Sequence, residues 1–175
     1  MPPLYILRHG QTVWNVEGRL QGRLDSALTP LGQVQAARQG AILRRFGVTA
    51  PVLVSPLGRA RATAALAGLS ADVDDRLAEI DMGRRQGRTR QEMDQPPGPG
   101  WRFDSPDGET RAALTRRVDG LLGDLRKPAI LVTHGVTGIA LRALLTGRDL
   151  SDWDWMTNPQ GVVHRIEAGE ETVLR

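Results

Sequence analysis

Two rhythms of apolar positions alternate along the chain. Residues 4–7, 52–54 and 129–132 are short unbroken apolar runs, the pattern of strands buried on both faces. Segments of helical spacing separate them. Residues 30–46 open with Thr29-Pro30, an N-cap followed by proline in the first turn, and stop at Gly47. Within them Leu31, Val34, Ala37, Ala41, Ile42 and Phe46 keep the period of a helix. Residues 59–69 are Ala-rich and helical, and Val73 sits on a short strand. Residues 110–125 carry Leu114, Val118, Leu121, Leu122 and Leu125 on one stripe, and residues 137–145 form a further helix. Residues 162–166 and 171–174, around Ala168-Gly169-Glu170, read as a β-hairpin. Buried strands joined by helices predict an α/β fold, a three-layer sandwich with a mainly parallel sheet flanked by helices. Residues 1–175 read as a single domain. One stretch, Asp94-Gln95-Pro96-Pro97-Gly98-Pro99-Gly100-Trp101, breaks the rhythm and reads as a surface loop.

In open α/β sheets, ligands bind outside the carboxyl ends of the strands. Three apolar runs end in polar groups: Arg8-His9-Gly10-Gln11-Thr12 with Asn15 close behind, Ser55-Pro56-Leu57-Gly58-Arg59, and Thr133-His134-Gly135. In a parallel array these ends converge on one rim and gather two histidines and two arginines. His9 and His134 are two of only three histidines, and each precedes a glycine, where the missing side chain lets the backbone turn sharply off the strand. His164 lies inside a predicted tail strand and reads as structural. Such a set suits a dianionic phosphoryl group. Arg8 and Arg59 can fork its oxygens. One neutral imidazole can attack phosphorus while the other donates to an oxygen whose charge grows in the transition state.

Composition narrows the alternatives. The chain has no cysteine, which excludes a disulfide scaffold, thiolate catalysis and Cys-type zinc sites. Of 23 basic residues only Lys127 is lysine, and the net charge is +3 with acids and bases interleaved. That balance argues against a nucleic-acid partner. No run reaches the ~18 apolar residues of a membrane span, and the N-terminal residues lack a signal-peptide layout. A cytoplasmic protein with no membrane partner is expected, as monomer or homodimer. No His-x-His pair, His-Glu-x-x-His helix or Gly-rich phosphate loop ending in Gly-Lys-[Ser/Thr] is present. The expected site therefore uses no metal and no cofactor, with arginine neutralising the phosphate charge.

Leu7-Arg8-His9-Gly10-Gln11-Thr12 with Asn15 resembles the Arg-His-Gly signature of the histidine phosphatase superfamily, the phosphoglycerate mutase-like family. The resemblance continues in order along the chain. It takes in Gly22-Arg23-Leu24-Asp25 with Leu28-Thr29-Pro30-Leu31-Gly32, then Ser55-Pro56-Leu57-Gly58-Arg59-Ala60-Arg61-Ala62-Thr63. Arg76-Leu77-Ala78-Glu79-Ile80-Asp81-Met82-Gly83, Pro106-Asp107-Gly108-Glu109-Thr110 and Val132-Thr133-His134-Gly135 complete it. The resemblance implies that His9 becomes phosphohistidine and that Arg8, Arg59 and His134 surround the phosphoryl oxygens. Asn15 helps orient that pocket, with Gln21 and Gly22 beside it. Glu79 protonates the leaving oxygen and then takes a proton from the attacking water. The arginines around His9 should keep it neutral.

The motifs also depart from the family. Gly83-Arg84-Arg85-Gln86-Gly87 stands where Gly-Asp-Trp-Glu-Gly is frequent, and Asn158-Pro159-Gln160-Gly161 only partly matches an Asn-Cys-Ser-like element. Arg84 and Arg85 near the acid lead to the expectation of an anionic substrate tail, with Gln86, Gln21, Gly22, Arg23 and Trp101 as further candidate selectors. Thr137 and Gly138 replace bulky apolar residues, which should leave room near the pocket. Glu109 either orients Arg8 or belongs to the first turn of the following helix. Trp153, Trp155 and Met156 are core or contact surface. Only 55 positions separate Glu79 from His134, little from which to build the cover a mutase needs to keep water off phosphohistidine. A metal-independent phosphatase acting on a small phosphate monoester is therefore the expected function, with a cofactor-dependent phosphoglycerate mutase as the alternative. An inactive binding module on the same fold is the third class, disfavoured by the presence of the whole residue set.

Overall fold

The computed structural model describes residues 1–93, 100–103, 105, 107–148, 153 and 155–175. Most of the expected Pro/Gly loop, residues 94–99, and Pro106 of the fifth motif lie outside them. Among the described residues, six strands form one sheet in the order β3-β2-β4-β1-β5-β6. They are β1 (Leu4–Arg8), β2 (Val52–Val54), β3 (Asp72–Val73), β4 (Ala129–Thr133), β5 (Val163–Glu167) and β6 (Glu170–Leu174). β1, β2, β3 and β4 are parallel, whereas β5 runs antiparallel to β1, and β6 pairs antiparallel with β5 as the terminal hairpin. The expected fold is thus present, with an antiparallel third of the sheet supplied by the tail.

Strand alternation divides the core into two. Leu4, Ile6, Ala129 and Leu131 face one layer, with Leu77, Leu114, Val118, Leu121, Ala140 and Leu141. Leu7, Ile130 and Val132 face the other, with Ile42, Leu43, Ala60 and Ala64. The first layer holds α4 (Arg111–Asp124) and α5 (Gly135–Thr146); the second holds α2 (Pro30–Arg45) and α3 (Gly58–Leu66). A short α1 (Val13–Val16) follows β1, capped by Thr12 in a reciprocal capping box with Asn15.

The apolar spacing of α2 does not mark its buried face. Leu31, Val34, Ala37, Ala41 and Phe46 are exposed, and only Ile42 of that set is buried. The inward face carries Gly32, Ala36, Gln39, Gly40 and Leu43. Small residues are required there because backbone meets backbone. A Cβ on Gly32 would lie 2.0 Å from the Gln11 carbonyl oxygen, and one on Gly40 2.1 Å from that of Ala67. The helix packs so closely that bulk is excluded from the side a residue count would leave to solvent.

Trp153 and Met156 are buried in the core, whereas Trp155 is 84% exposed. His164 on β5 is buried, and its Nδ1–H donates to Glu171 on β6 at 2.7 Å. The same carboxylate oxygen accepts from Nε of Arg142 at 2.7 Å. Burial would push the Glu171 carboxyl up, but the hydrogen bonds from His164 and Arg142 outweigh it and hold the group at about 2.

Candidate active site

The carboxyl ends of β1, β2 and β4 lie side by side, because Arg8 registers with Thr133 and Val54 with Val132. His9 and His134 follow those ends directly. Their rings sit 5.2 Å apart at 55°, and both are buried.

Four hydrogen bonds fasten the turn after β1. The His9 amide donates to the Thr133 carbonyl at 2.9 Å. The Gly10 amide donates to Thr63 Oγ1 on α3 at 3.0 Å. Gln39 Nε2 donates to the Arg8 carbonyl at 3.0 Å and Gln160 Nε2 to the His9 carbonyl at 3.1 Å. Gly10 has no alternative here, since a Cβ would lie 2.2 Å from the Gly32 carbonyl oxygen.

This anchoring fixes the His9 tautomer. Nδ1 lies 2.8 Å from the Gly10 carbonyl oxygen, which can only accept, so Nδ1 carries the proton. Nε2 is then bare and accepts from Nε of Arg59 at 3.3 Å. Burial, followed by the charges of Arg59 and Arg8, holds this imidazole well below the usual histidine range, and the Gly10 carbonyl opposes them less. His134 is lowered in the same way, by burial first and then Arg59. Its Nε2 is 2.6 Å from Ser55 Oγ, and its Nδ1 is buried without a protein partner. His134 thus stands beside His9 with one ring nitrogen held by Ser55 and the other left open.

Arg59 and Arg8 are held differently. Arg59 donates from Nη1 to the Leu24 carbonyl at 2.7 Å and to Asp25 Oδ1 at 2.9 Å, and from Nη2 to the Gly22 carbonyl at 2.7 Å. It therefore clamps the loop of residues 22–25 over His9 as well as facing the imidazole. Arg8 donates from Nη1 to the Asn158 carbonyl at 2.7 Å, and its Nε is buried without a partner. Burial pushes Arg8 below its ordinary value, with Glu79 opposing.

Glu79 faces the pair from the far side. Its carboxylate accepts from the amides of Val136 at 3.1 Å and Thr137 at 3.0 Å, at the N-terminus of α5, and from Thr137 Oγ1 at 3.2 Å. Gly135 leaves the gap between cation and anion. A Cβ there would lie 3.4 Å from Glu79 Oε2 and 3.8 Å from the Arg8 guanidinium. Asn15 and Gln21 also line the cavity, with Gln21 Oε1 buried and unpartnered. Gly22 lines it with φ 51°, where a Cβ would run into the Gln86 side chain. Among the described residues, no group of three or more metal-ligating side chains comes together.

Several expectations do not hold. Arg84 is exposed and pairs with Asp107 at 3.1 Å, Arg85 donates to the Trp101 carbonyl at 2.5 Å, and Gln86 accepts from the Arg23 amide. Arg84, Arg85, Gln86 and Arg23 do not line the cavity, whereas Trp101 does, so these four brace loops and the anionic tail inferred from the arginines loses its basis. Glu109 neither orients Arg8 nor enters a helical turn. It precedes the N-cap Thr110 and binds Arg117 through both oxygens, at 2.7 and 2.8 Å. Thr137 and Gly138 leave no room: Thr137 holds Glu79, and a Cβ on Gly138 would lie 2.6 Å from Asn158 Nδ2. Asn158, Gln160, Gln39, Ser55 and Thr63 were not singled out for the site. The first two stood in a recognised but imperfect motif; the others act through backbone atoms or behind the histidines.

The family profile described as histidine phosphatase superfamily (branch 1) matches residues 4–174. The chain belongs to the histidine phosphatase superfamily. A protein of Salmonella arizonae named probable phosphoglycerate mutase GpmB is 36% identical over 157 residues, covering 78% of this chain and 71% of that one. The crystal structure of TTHB049 from Thermus thermophilus has a TM-score of 0.82 at 34% identity, covering 98% of both chains. A phosphoglycerate mutase structure from the same organism gives 0.79 at 32% identity, covering 98% of this chain and 97% of that one. The open reading frame Rv3214 of Mycobacterium tuberculosis gives 0.84 at 28% identity, covering 98% and 95%.

Proposed function

We propose that the chain transfers the phosphoryl group of a small phosphate monoester through a phosphohistidine on His9. The observation that carries this reading is the bare Nε2 of His9, turned to the site by the Gly10 carbonyl and set beside Arg59. In the first step Nε2 bonds to phosphorus, the phosphorus–oxygen ester bond breaks, and protonated Glu79 gives its proton to the departing oxygen. Arg8, Arg59 and Nδ1 of His134 receive the phosphoryl oxygens, with Asn15 and Gln21 at the margin. In the second step an acceptor oxygen attacks phosphorus, Glu79 takes its proton and the nitrogen–phosphorus bond breaks.

The acceptor distinguishes two readings. The names of the relatives from Salmonella and Thermus support a phosphoglycerate mutase, in which the acceptor is a substrate hydroxyl. The short span between Glu79 and His134 favours the other, hydrolysis by water, because it offers little cover for the intermediate. Incubation with 3-phosphoglycerate, with and without 2,3-bisphosphoglycerate, and with p-nitrophenyl phosphate separates them. Cofactor-dependent isomerisation without phosphate release identifies the mutase; release of inorganic phosphate identifies the phosphatase. Acid-labile labelling lost in His9→Ala supports the shared step, and equal labelling of wild type and variant overturns it.

A further inference from the structure

The cavity above His9 has a volume of about 610 Å³. That lies within the ~300–1,000 Å³ of sites that enclose drug-sized ligands. A phosphoryl group held by Arg8, His9, Arg59 and Glu79 would fill only the part of it that those residues line. The wall beyond is a different surface. Trp14, Leu20, Met82, Trp101, Ile139 and Met156 line it. Met82, Trp101, Ile139 and Met156 belong to the same apolar cluster as Leu114 and Leu141, with Leu20 packed against it. The protein core therefore runs out to the cavity.

Polar side chains also reach the cavity, those of Glu17, Thr89 and Gln91 and two arginines, and both arginines are engaged. Arg19 donates to Glu17 at 2.7 Å and to the Gly87 carbonyl at 2.9 Å. The Arg102 guanidinium lies 5.0 Å from the centre of the Trp101 ring. Resting on the proposal that His9 takes the phosphoryl group, we infer that the preferred substrate is a phosphate monoester whose alcohol carries a flat apolar or aromatic body. That body sits between the tryptophans and the methionines, whose unbranched thioethers adapt to ring edges.

The test holds leaving-group acidity nearly constant and varies apolar size. Turnover of 2-phenylethyl phosphate is compared with that of glycerol 3-phosphate, ethyl phosphate and 3-phosphoglycerate. We expect kcat/KM for the phenylethyl ester to exceed the others by roughly 30-fold, the scale of a few buried methylenes. Trp14→Ala and Leu20→Asn should each shrink that ratio. Calorimetry with 3-phenylpropylphosphonate and ethylphosphonate gives a readout that needs no turnover, and the aryl compound should bind at least 10-fold more tightly. Equal affinities, or a preference for 3-phosphoglycerate, overturn the inference. Failure of every ester to label His9 overturns the phosphohistidine reading instead, and the phosphonates then decide the apolar wall by themselves.

Discussion

Asp25 and Arg59 form an ion pair in which the guanidinium is buried and the carboxylate is 42% exposed, with Oδ1 2.9 Å from Nη1. Asp25 also accepts from the backbone amides of Gly58 and Arg59 at the start of α3. The pair ties the loop over His9 to the helix that supplies its arginine. Asp25→Ala should lower kcat/KM by about 10–100-fold through misplacement of Arg59, with a stability loss of only about 1 kcal/mol because one partner is open to water. Steady-state kinetics alongside urea unfolding check this; unchanged kinetics would remove the clamp from the catalytic account.

Both imidazoles of the site are held below the ordinary value of 6.5. The unfolded chain therefore binds the extra protons as pH falls. This stability is fully present above pH 6.5 and is lost below it, with a slope of up to about 1.4 kcal/mol per pH unit for each histidine. Urea unfolding at pH 7.5 and 5.5 should show the decline, and His134→Ala should reduce its slope. A flat profile would contradict it. Nitrogen NMR at pH 6 should find His9 neutral with its proton on Nδ1.

Glu171 carries a second pH window. Its carboxyl is lowered from 4.5 to about 2, so its contribution is complete above pH 4.5 and is lost as pH falls toward 2. Glu171→Gln leaves Arg142 buried beside a neutral amide and should cost about 3 kcal/mol. Because Arg142 also holds the Thr157 carbonyl at 2.6 Å, next to Asn158, activity should fall with stability. Full activity in a destabilised Glu171→Gln variant would separate the two.

Glu79→Gln tests the proposed proton donor. Rapid-quench measurement of phosphohistidine formation should show a loss of about 10²–10⁴ for an alkyl ester, whose alkoxide needs a proton. With p-nitrophenyl phosphate the loss should be far smaller, since nitrophenolate leaves unaided. Equal losses would assign Glu79 to positioning alone.

The strands, the four longer helices and the two catalytic-candidate histidines were legible because buried apolar runs and strand-end glycines are written in residue type. What escaped was written in backbone. The second task of Arg59, holding the carbonyls of Gly22 and Leu24, was invisible because those are acceptors that every sequence possesses. α2 was placed along the chain but phased wrongly, because Gly32 and Gly40 mark its inner side by lacking bulk. Arg84 and Arg85 were read by charge, whereas their partners Asp107 and the Trp101 carbonyl decide where they point.

The bond from Arg8 to Asn158 and the bond from Gln160 to His9 each span about 150 residues. During synthesis the signature Arg-His-Gly therefore precedes its two fasteners by that whole span. A growing chain that has already formed β1, β2 and β4 still lacks the groups that hold Arg8 and the His9 carbonyl. Reactivity toward phosphate esters should therefore switch on abruptly, only after the segment preceding the terminal hairpin has been released from the ribosome.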